Sequence, residues 1–584
     1  MKTSDKIFAL LCGVIVVVFA AQRIERHLEK KAWEKDRMER IAIDFRRSRE
    51  EVKDYISRYI PEVTDAQIDE WTASGKLEAM EIDGQTRYFR NAGPNLFRID
   101  HECEAIKAAS DVAEGSISLS GNALDGHDAD DAAVIPLIVS KVKSNLLAGP
   151  SAAGTAGSAA AAAAAGSDAA SSKASPFART APTPYMAEPC HYHVRYTLTV
   201  DADAVPAGET VRCWLPYPRK DVPRQGDVHF IAASEPKYVF SEESCAHSTL
   251  YMEKKAVAGQ PTVFSEEFEY TIYGEWHPLY PESVKEYNVS DPEYRRYTSE
   301  REAHIKFTPR IKAVADSLSK GLDNPYLIAR TFFTWVNDNF PWASAREYST
   351  VENIPMYVLE SGHGDCGMVT LLFMTLCRYK GIPTRWQSGF MMHPSGWNLH
   401  DWAEVYFEGP GWVPVDESFG IPSYAVRRAP LMGTWAPAMS LPASSSGAGA
   451  ASVAASVAAG ASVAGGAAGV TGAAGASGAG ASGALGTAGT SGTGASVSSS
   501  SSASASTLGG DPVLSAILAL PEAEYFYLGG IDPYRMIVNT DYGQYLSPRK
   551  KYPRSETVDF QRGEVEWKGG NLYFNKWSYS LEIL

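Results

Sequence analysis

Cysteine is scarce in this chain, and what there is follows no metal-binding pattern. The seven cysteines stand at positions 12, 103, 190, 213, 245, 366 and 377. None are spaced Cys-x-x-Cys, which argues against a zinc site. Cys190, Cys213 and Cys245 fall in one strand-rich region, which leaves a disulfide between two of them open. Basic charge is also short: 54 Lys and Arg face 69 Asp and Glu, a net charge of −15. Nucleic-acid binding favours a basic face, so this balance argues against such a partner. The charge is spread along the chain and mainly favours solubility. The N-terminal apolar run, Ile7 to Ala21, is shorter than the ~20 residues a spanning helix needs.

What is present supports large cores. The chain has 584 residues, of which 45% are hydrophobic and 11% aromatic. That length suits two or three domains. Residues 1–21 combine Lys2 and Lys6, an apolar stretch and small residues at its end, the pattern of an export signal. Arg23 and Arg26 follow at once and disfavour cleavage, so an uncleaved N-terminal anchor is the second reading. Either way the expectation is a protein working outside the cytoplasm, periplasmic or secreted.

Residues 22–100 read as an N-terminal helix and a small hairpin unit. Ile41, Phe45, Val52, Ile56 and Ile60 recur at helical spacing, predicting one long amphipathic helix that ends before Pro61. Asp83-Gly84 lies between two strand-like runs, a strong hairpin signal; residues 91–100 read as a loop. Residues 101–184 read as a linker, partly Ala/Gly/Ser-rich over 151–175. Residues 185–300 alternate polar and apolar, as in His193-Val194-Arg195-Tyr196, which predicts an antiparallel β-sandwich. Residues 301–442 hold the candidate chemistry. Residues 443–510 are almost wholly Ala, Gly and Ser, a disordered insertion with too little apolar bulk to fold. Residues 511–584 read as edge strands that complete the core.

The chemistry centres on Cys366. Gly364-Asp365-Cys366-Gly367 precedes an apolar helical run, Met368 to Leu376, which Gly381-Ile382-Pro383 stops. A helix N-terminus favours an anion and so lowers a thiol's pKa. Gly362, Gly364 and Gly367 are read as letting the backbone turn sharply around the start of this helix. His400 opens a strand-like run, Leu399 to Phe407. Gly409-Pro410-Gly411 turns the chain into a second strand that ends at Asp416. The two strands form a hairpin that brings His400 and Asp416 close together. Thiol, imidazole and carboxylate are the parts of a generalised catalytic triad.

Four ordered motifs carry a resemblance. Gly364-Asp365-Cys366, Gly381-Ile382-Pro383-Thr384-Arg385, His400-Asp401-Trp402-Ala403-Glu404 and Trp412-Val413-Pro414-Val415-Asp416 resemble the transglutaminase-like core of the papain-like thiol enzymes. The resemblance spans about Ile311 to Gly420. It implies an α+β fold, a helix packed on an antiparallel sheet, preceded by the β-sandwich. It also implies Cys366 as nucleophile, His400 as general base and acid, and Asp416 as the orienting carboxylate. The Cys366 main-chain N–H is the natural first oxyanion donor. Animal members use an upstream tryptophan as the second. Here Trp335 reads as core, and Trp342 sits in a loop after a proline.

No metal or organic cofactor is implied. The expected function is an exported thiol acyl-transfer enzyme, a cysteine protease-like hydrolase first and an acyltransferase second. Its substrate is a protein, peptide or peptidoglycan amide. The competing reading is a non-catalytic binding or scaffold protein of the cell envelope.

Overall fold

A computed structural model describes residues 34–113, 127–148, 183–394, 396–419, 520 and 525–584. The export signal or anchor, and the Ala/Gly/Ser-rich stretches at 151–175 and 443–510, lie outside the described residues. Among the described residues, no helix is long and apolar enough to cross a membrane.

The N-terminal unit has its own core of Ile41, Phe45, Val52, Ile56, Ile68, Leu77, Phe89, Leu96 and Phe97. The long helix read from the sequence is broken. Helix covers 34–44 and resumes at Arg49–Ser57. Between them Arg47 exchanges main-chain hydrogen bonds with Tyr88 at 3.1 and 2.9 Å. Ser48 then caps the second helix in a capping box with Glu51. Periodicity alone could not register this, because it survives a one-turn interruption. Strands β1 (Ala79–Ile82) and β2 (Gln85–Tyr88) pair around Asp83 and Gly84, both at positive φ. Residues Ala92–Ile99, read as a loop, are helical. Pro94 falls in the first turn, where its missing N–H costs nothing.

The stretch read as a linker also contains helix. His127–Ala148 is helical, and its Ile135, Ile138, Val139 and Val142 enter the main core. These four follow the i, i+3, i+4, i+7 spacing of one helix face. Ile138 fills the space that a Cβ on Gly274 would need.

Strands β3 (Met186–Val200), β4 (Thr210–Pro216), β5 (Gln225–Ala233), β6 (Tyr238–Phe240), β7 (Thr249–Lys255) and β8 (Thr262–Trp276) build two facing sheets. Val194, Tyr196, Leu198 and Val200 alternate into the core between them. All six described cysteines are free, so the disulfide left open among Cys190, Cys213 and Cys245 does not form.

The second core stacks the helices Pro309–Leu318, Pro325–Asn339, Ile354–Ser361 and Cys366–Tyr379 on a four-stranded sheet. That sheet runs β11 (Gly411–Val415), β10 (Gly396–Phe407), β9 (Thr384–His393) and β13 (Arg535–Asn539). Every residue of β9 is buried, because both faces are covered. Trp386, Ala403 and Val405 join the helix-side core. Phe390, Trp402 and Met536 join the sandwich-side core. At Gly389 a Cβ would lie 1.9 Å from the Met536 carbonyl oxygen, so only glycine allows β9 and β13 to approach this closely.

Not all of residues 511–584 complete the core, as the sequence suggested. Only β13 enters that sheet. Strand β12 (Gly530–Ile531) pairs with β8, β14 (Glu564–Trp567) with β4, and β15 (Gly570–Leu572) with β14. Strand β16 (Trp577–Ile583) pairs with β3. These returns cover sandwich edges that would otherwise present unpaired main-chain groups. The overall class is α+β, as the sequence indicated.

Candidate active site

Cys366 is the first residue of its helix, and Asp365 is the N-cap, accepting from Met368 N at 3.1 Å. Gly362 ends the preceding helix at φ +74°, which explains that glycine. Gly367 serves a different purpose from the one read in the sequence. Its φ is not positive; instead, a Cβ there would lie 2.4 Å from Tyr348 Oη and 2.6 Å from Asp401 Oδ2. Glycine is needed for space rather than for a turn.

Strands β10 and β11 form the expected hairpin, with Ala403 opposite Val415 and Val405 opposite Val413. His400 and Asp416 meet through it: Nε2 lies 2.6 Å from Asp416 Oδ2. The imidazole ring is flanked by Trp402, 5.9 Å away and nearly parallel, and by Phe419, 4.9 Å away and edge-on. Asp416 Oδ1 accepts from Ser418 Oγ at 2.8 Å and from the main-chain N–H groups of Ser418 and Phe419, both at 3.2 Å. Arg535 donates to Asp416 Oδ2 at 2.6 Å and pairs with Asp532 Oδ2 at 2.7 Å. The Arg535 guanidinium also lies 4.0 Å over the Phe419 ring.

These contacts decide protonation. Burial pushes the Asp416 carboxyl up, but His400 and Arg535 outweigh it and hold the group below its usual range. Asp416 is therefore an acceptor only, and His400 Nε2 carries the proton. The other ring nitrogen, Nδ1, is left to exchange one. Burial, opposed by Asp416, lowers the His400 pKa, so the ring rests neutral at neutral pH.

The thiol departs from expectation. Its hydrogen bond runs to Asp401 Oδ2 at 3.6 Å, not to His400. Burial, then the Asp401 and Asp365 carboxylates, push the Cys366 pKa well up. The helix start was expected to lower it, but at this position those three effects outweigh the partial charges of the free N–H groups. Asp401 is itself pushed well up by burial, then by Asp559 and Asp365.

Cys366 and His400 line one cavity of about 250 Å³. Its wall also includes Arg90 and Asn91 from the N-terminal unit, and Glu556, Asp559, Gln561 and Arg562 from the C-terminal segment. Trp342 lines it too, under the Arg98 guanidinium at 4.8 Å. Trp335 packs edge-on against Phe340 at 5.0 Å, in keeping with a core role. Arg385, Glu404 and Trp412, taken from the motifs, form a separate cluster. Arg385 pairs with Glu404 and lies 4.2 Å over the Trp412 ring. Among the described residues, no group of His, Cys, Asp and Glu is arranged to hold a metal ion.

The three sequence candidates thus gather at one cavity: Cys366 and His400 in its wall, Asp416 behind His400. Sequence reasoning missed Arg535, Asp532, Asp401, Gln561 and Tyr348. The run Asp532-Pro533-Tyr534-Arg535 was read only as an edge strand, although its i, i+3 acid and base hinted at a local pair.

Residues 312–417 match the family model of the transglutaminase-like superfamily. Within this chain, residues 312–417 thus form a transglutaminase-like core. No curated protein matches it. Among solved structures, it is similar to one named "Putative Cysteine Protease" from Cytophaga hutchinsonii, at 15% identity and a TM-score of 0.33, over 40% of this chain and 78% of that one. It is also similar to the periplasmic domain of TgpA from Pseudomonas aeruginosa, at 15% identity and a TM-score of 0.21, over 41% of this chain and 90% of that one.

Proposed function

We propose that this protein is a thiol acyl-transfer enzyme that acts outside the cytoplasm. Cys366 attacks the carbonyl carbon of an amide, and its proton passes to His400 Nδ1. The tetrahedral intermediate collapses to an acyl-thioester as His400 returns that proton to the departing amine. Water then attacks the thioester, with His400 again taking and returning a proton, and the thiol is regenerated. Asp416 keeps the imidazole oriented and stabilises its protonated form. The Cys366 main-chain N–H is the first oxyanion donor, since a helix start leaves it free.

The observation that carries this reading is the shared cavity, whose wall holds both the half-buried thiol and His400, with His400 hydrogen-bonded to an ionised Asp416. Hydrolysis of a peptide, protein or peptidoglycan amide is preferred over transfer to an amine, because an extracytoplasmic site is rich in water. The location rests on the export-signal pattern of residues 1–21. A second reading, a binding module, is favoured by one observation: the resting thiol is bonded to a carboxyl, not to the imidazole.

Hydroxylamine separates the two. It intercepts an acyl-thioester and gives a hydroxamate. Casein and peptidoglycan-derived peptides are offered with hydroxylamine, and hydroxamate and free acid are measured. The enzyme reading expects product that disappears in Cys366→Ala and His400→Ala. Product undiminished in Cys366→Ala sinks it.

A further inference from the structure

We propose that Asp401 is the resting proton partner of the Cys366 thiol: it takes the S–H hydrogen bond and keeps the nucleophile un-ionised. This rests on Cys366 being the nucleophile of the reaction proposed above. Four observations carry it. Asp401 Oδ2 lies 3.6 Å from Sγ. The carboxyl is only 3% exposed, so water does not compete for it. Gln561 Nε2 donates both to Asp401 Oδ1 and to the His400 carbonyl, at 2.8 Å each, which fixes the carboxyl beside the imidazole's own main chain. Finally, Gly367 carries no Cβ where one would collide with Asp401 Oδ2. The helix start is thereby allowed to settle onto the acid.

The surroundings decide what the carboxyl does. From the helix start, Cys366 and Asp365 face it. From the 3-10 turn, Tyr348 Oη lies 3.5 Å from Oδ2 but donates more closely to Asp365, at 2.6 Å. From the C-terminal segment come Glu556 and Asp559, whose charges act on it, and the neutral Gln561. Arg562 on that segment is held by Glu347 at 2.6 Å. His400 is the preceding residue on the strand and is bonded to Asp416. A second negative charge in such surroundings is strongly disfavoured. Sulfur and carboxyl therefore share their last proton as a pair. When the carboxylate has lost it, the sulfur stays a thiol. A thiolate forms only when Asp401 holds that proton, or when His400 takes it in the presence of substrate.

The test is the pH dependence of iodoacetamide labelling at Cys366, read by peptide mass spectrometry on the full chain. In the wild type the midpoint should lie above that of a cysteine peptide, about 8.5. Asp401→Asn has the same shape and cannot ionise. It should move the midpoint down by a unit or more, so that labelling at a fixed lower pH rises about tenfold. Asp401→Ala should move it in the same direction, with circular dichroism confirming the fold. A wild-type midpoint at or below that of the peptide overturns the proposal, whatever the variants do. So does an unmoved or raised midpoint in a folded variant. The assay needs no substrate, so it does not depend on turnover. Product formation surviving Cys366→Ala would remove the nucleophile and leave the labelling result standing.

Discussion

Asp401 and Asp416 are two acids on one hairpin, both essentially buried, and their surroundings shift their pKa values in opposite directions. Asp416 faces Arg535 and His400 and is held ionised. Asp401 faces Asp365, Asp559 and the thiol and is pushed toward its neutral form. Burial acts on both alike, so it does not separate them. What separates them is the sign of the nearest charge. On one side of the strand a cation was supplied from residue 535; on the other, the C-terminal segment supplied more acid. The same residue type accepts from an imidazole in one place and from a thiol in the other.

The sharpest way to break the comparison is to remove the ionised member. Asp416→Ala leaves His400 without its acceptor and should lower kcat for hydroxamate formation roughly 10³–10⁴-fold, by analogy with other triads. Arg535→Met removes the cation and leaves Asp416 and Asp532 buried without it. It should cost about 3–5 kcal/mol in urea unfolding. On the other side, Gln561→Leu deletes one neutral donor to Asp401 and should cost only ~1–3 kcal/mol by the same measurement. Similar losses for the two would mean that charge does not distinguish the sides.

A further test uses pH. Burial lowers the His363 pKa from 6.5 to about 4. The folded ring is neutral where the unfolded ring is charged. Its stabilising contribution is therefore present above pH 6.5 and is lost as pH falls toward 4. For this residue the loss is up to about 3 kcal/mol. Unfolding curves across that range should lose part of their slope in His363→Gln. The smallest effect is expected at Glu266. It lies in the sandwich core at 1% exposure, and burial pushes its pKa well up. It is already neutral there, so Glu266→Gln should change stability by less than about 1 kcal/mol. A large loss would mean that the buried carboxyl is ionised and paired.

Much of the transglutaminase-like core was legible because its signals are local. The run from Asp365 to Asp416 contains the N-cap, the candidate nucleophile, the hairpin turn and both partners of the imidazole bond. These 52 residues of helix, strand and turn suffice to bring them together. Asp532, Arg535 and Gln561 were not legible, since they return to the site only after the long Ala/Gly/Ser stretch. Nothing in the pattern of β13 says which neighbour its arginine meets. The helix at His127–Ala148 was hidden for another reason. Its apolar face is short and is followed by alanine and glycine, so composition outweighed spacing. The break at Arg47 came from pairing with Tyr88, forty-one positions away.

Residue order by itself determined the candidate chemistry: a sulfur at a helix start, an imidazole and carboxylate on a hairpin, and the α+β class. Tertiary structure alone decided the proton balance. A helix terminus contributes partial charges along its own axis, and these can be read from the chain. Burial, and the acids and cations brought in by distant segments, act through space and are stronger at short range. They reversed the expected direction at Cys366 and set Asp401 and Asp416 apart.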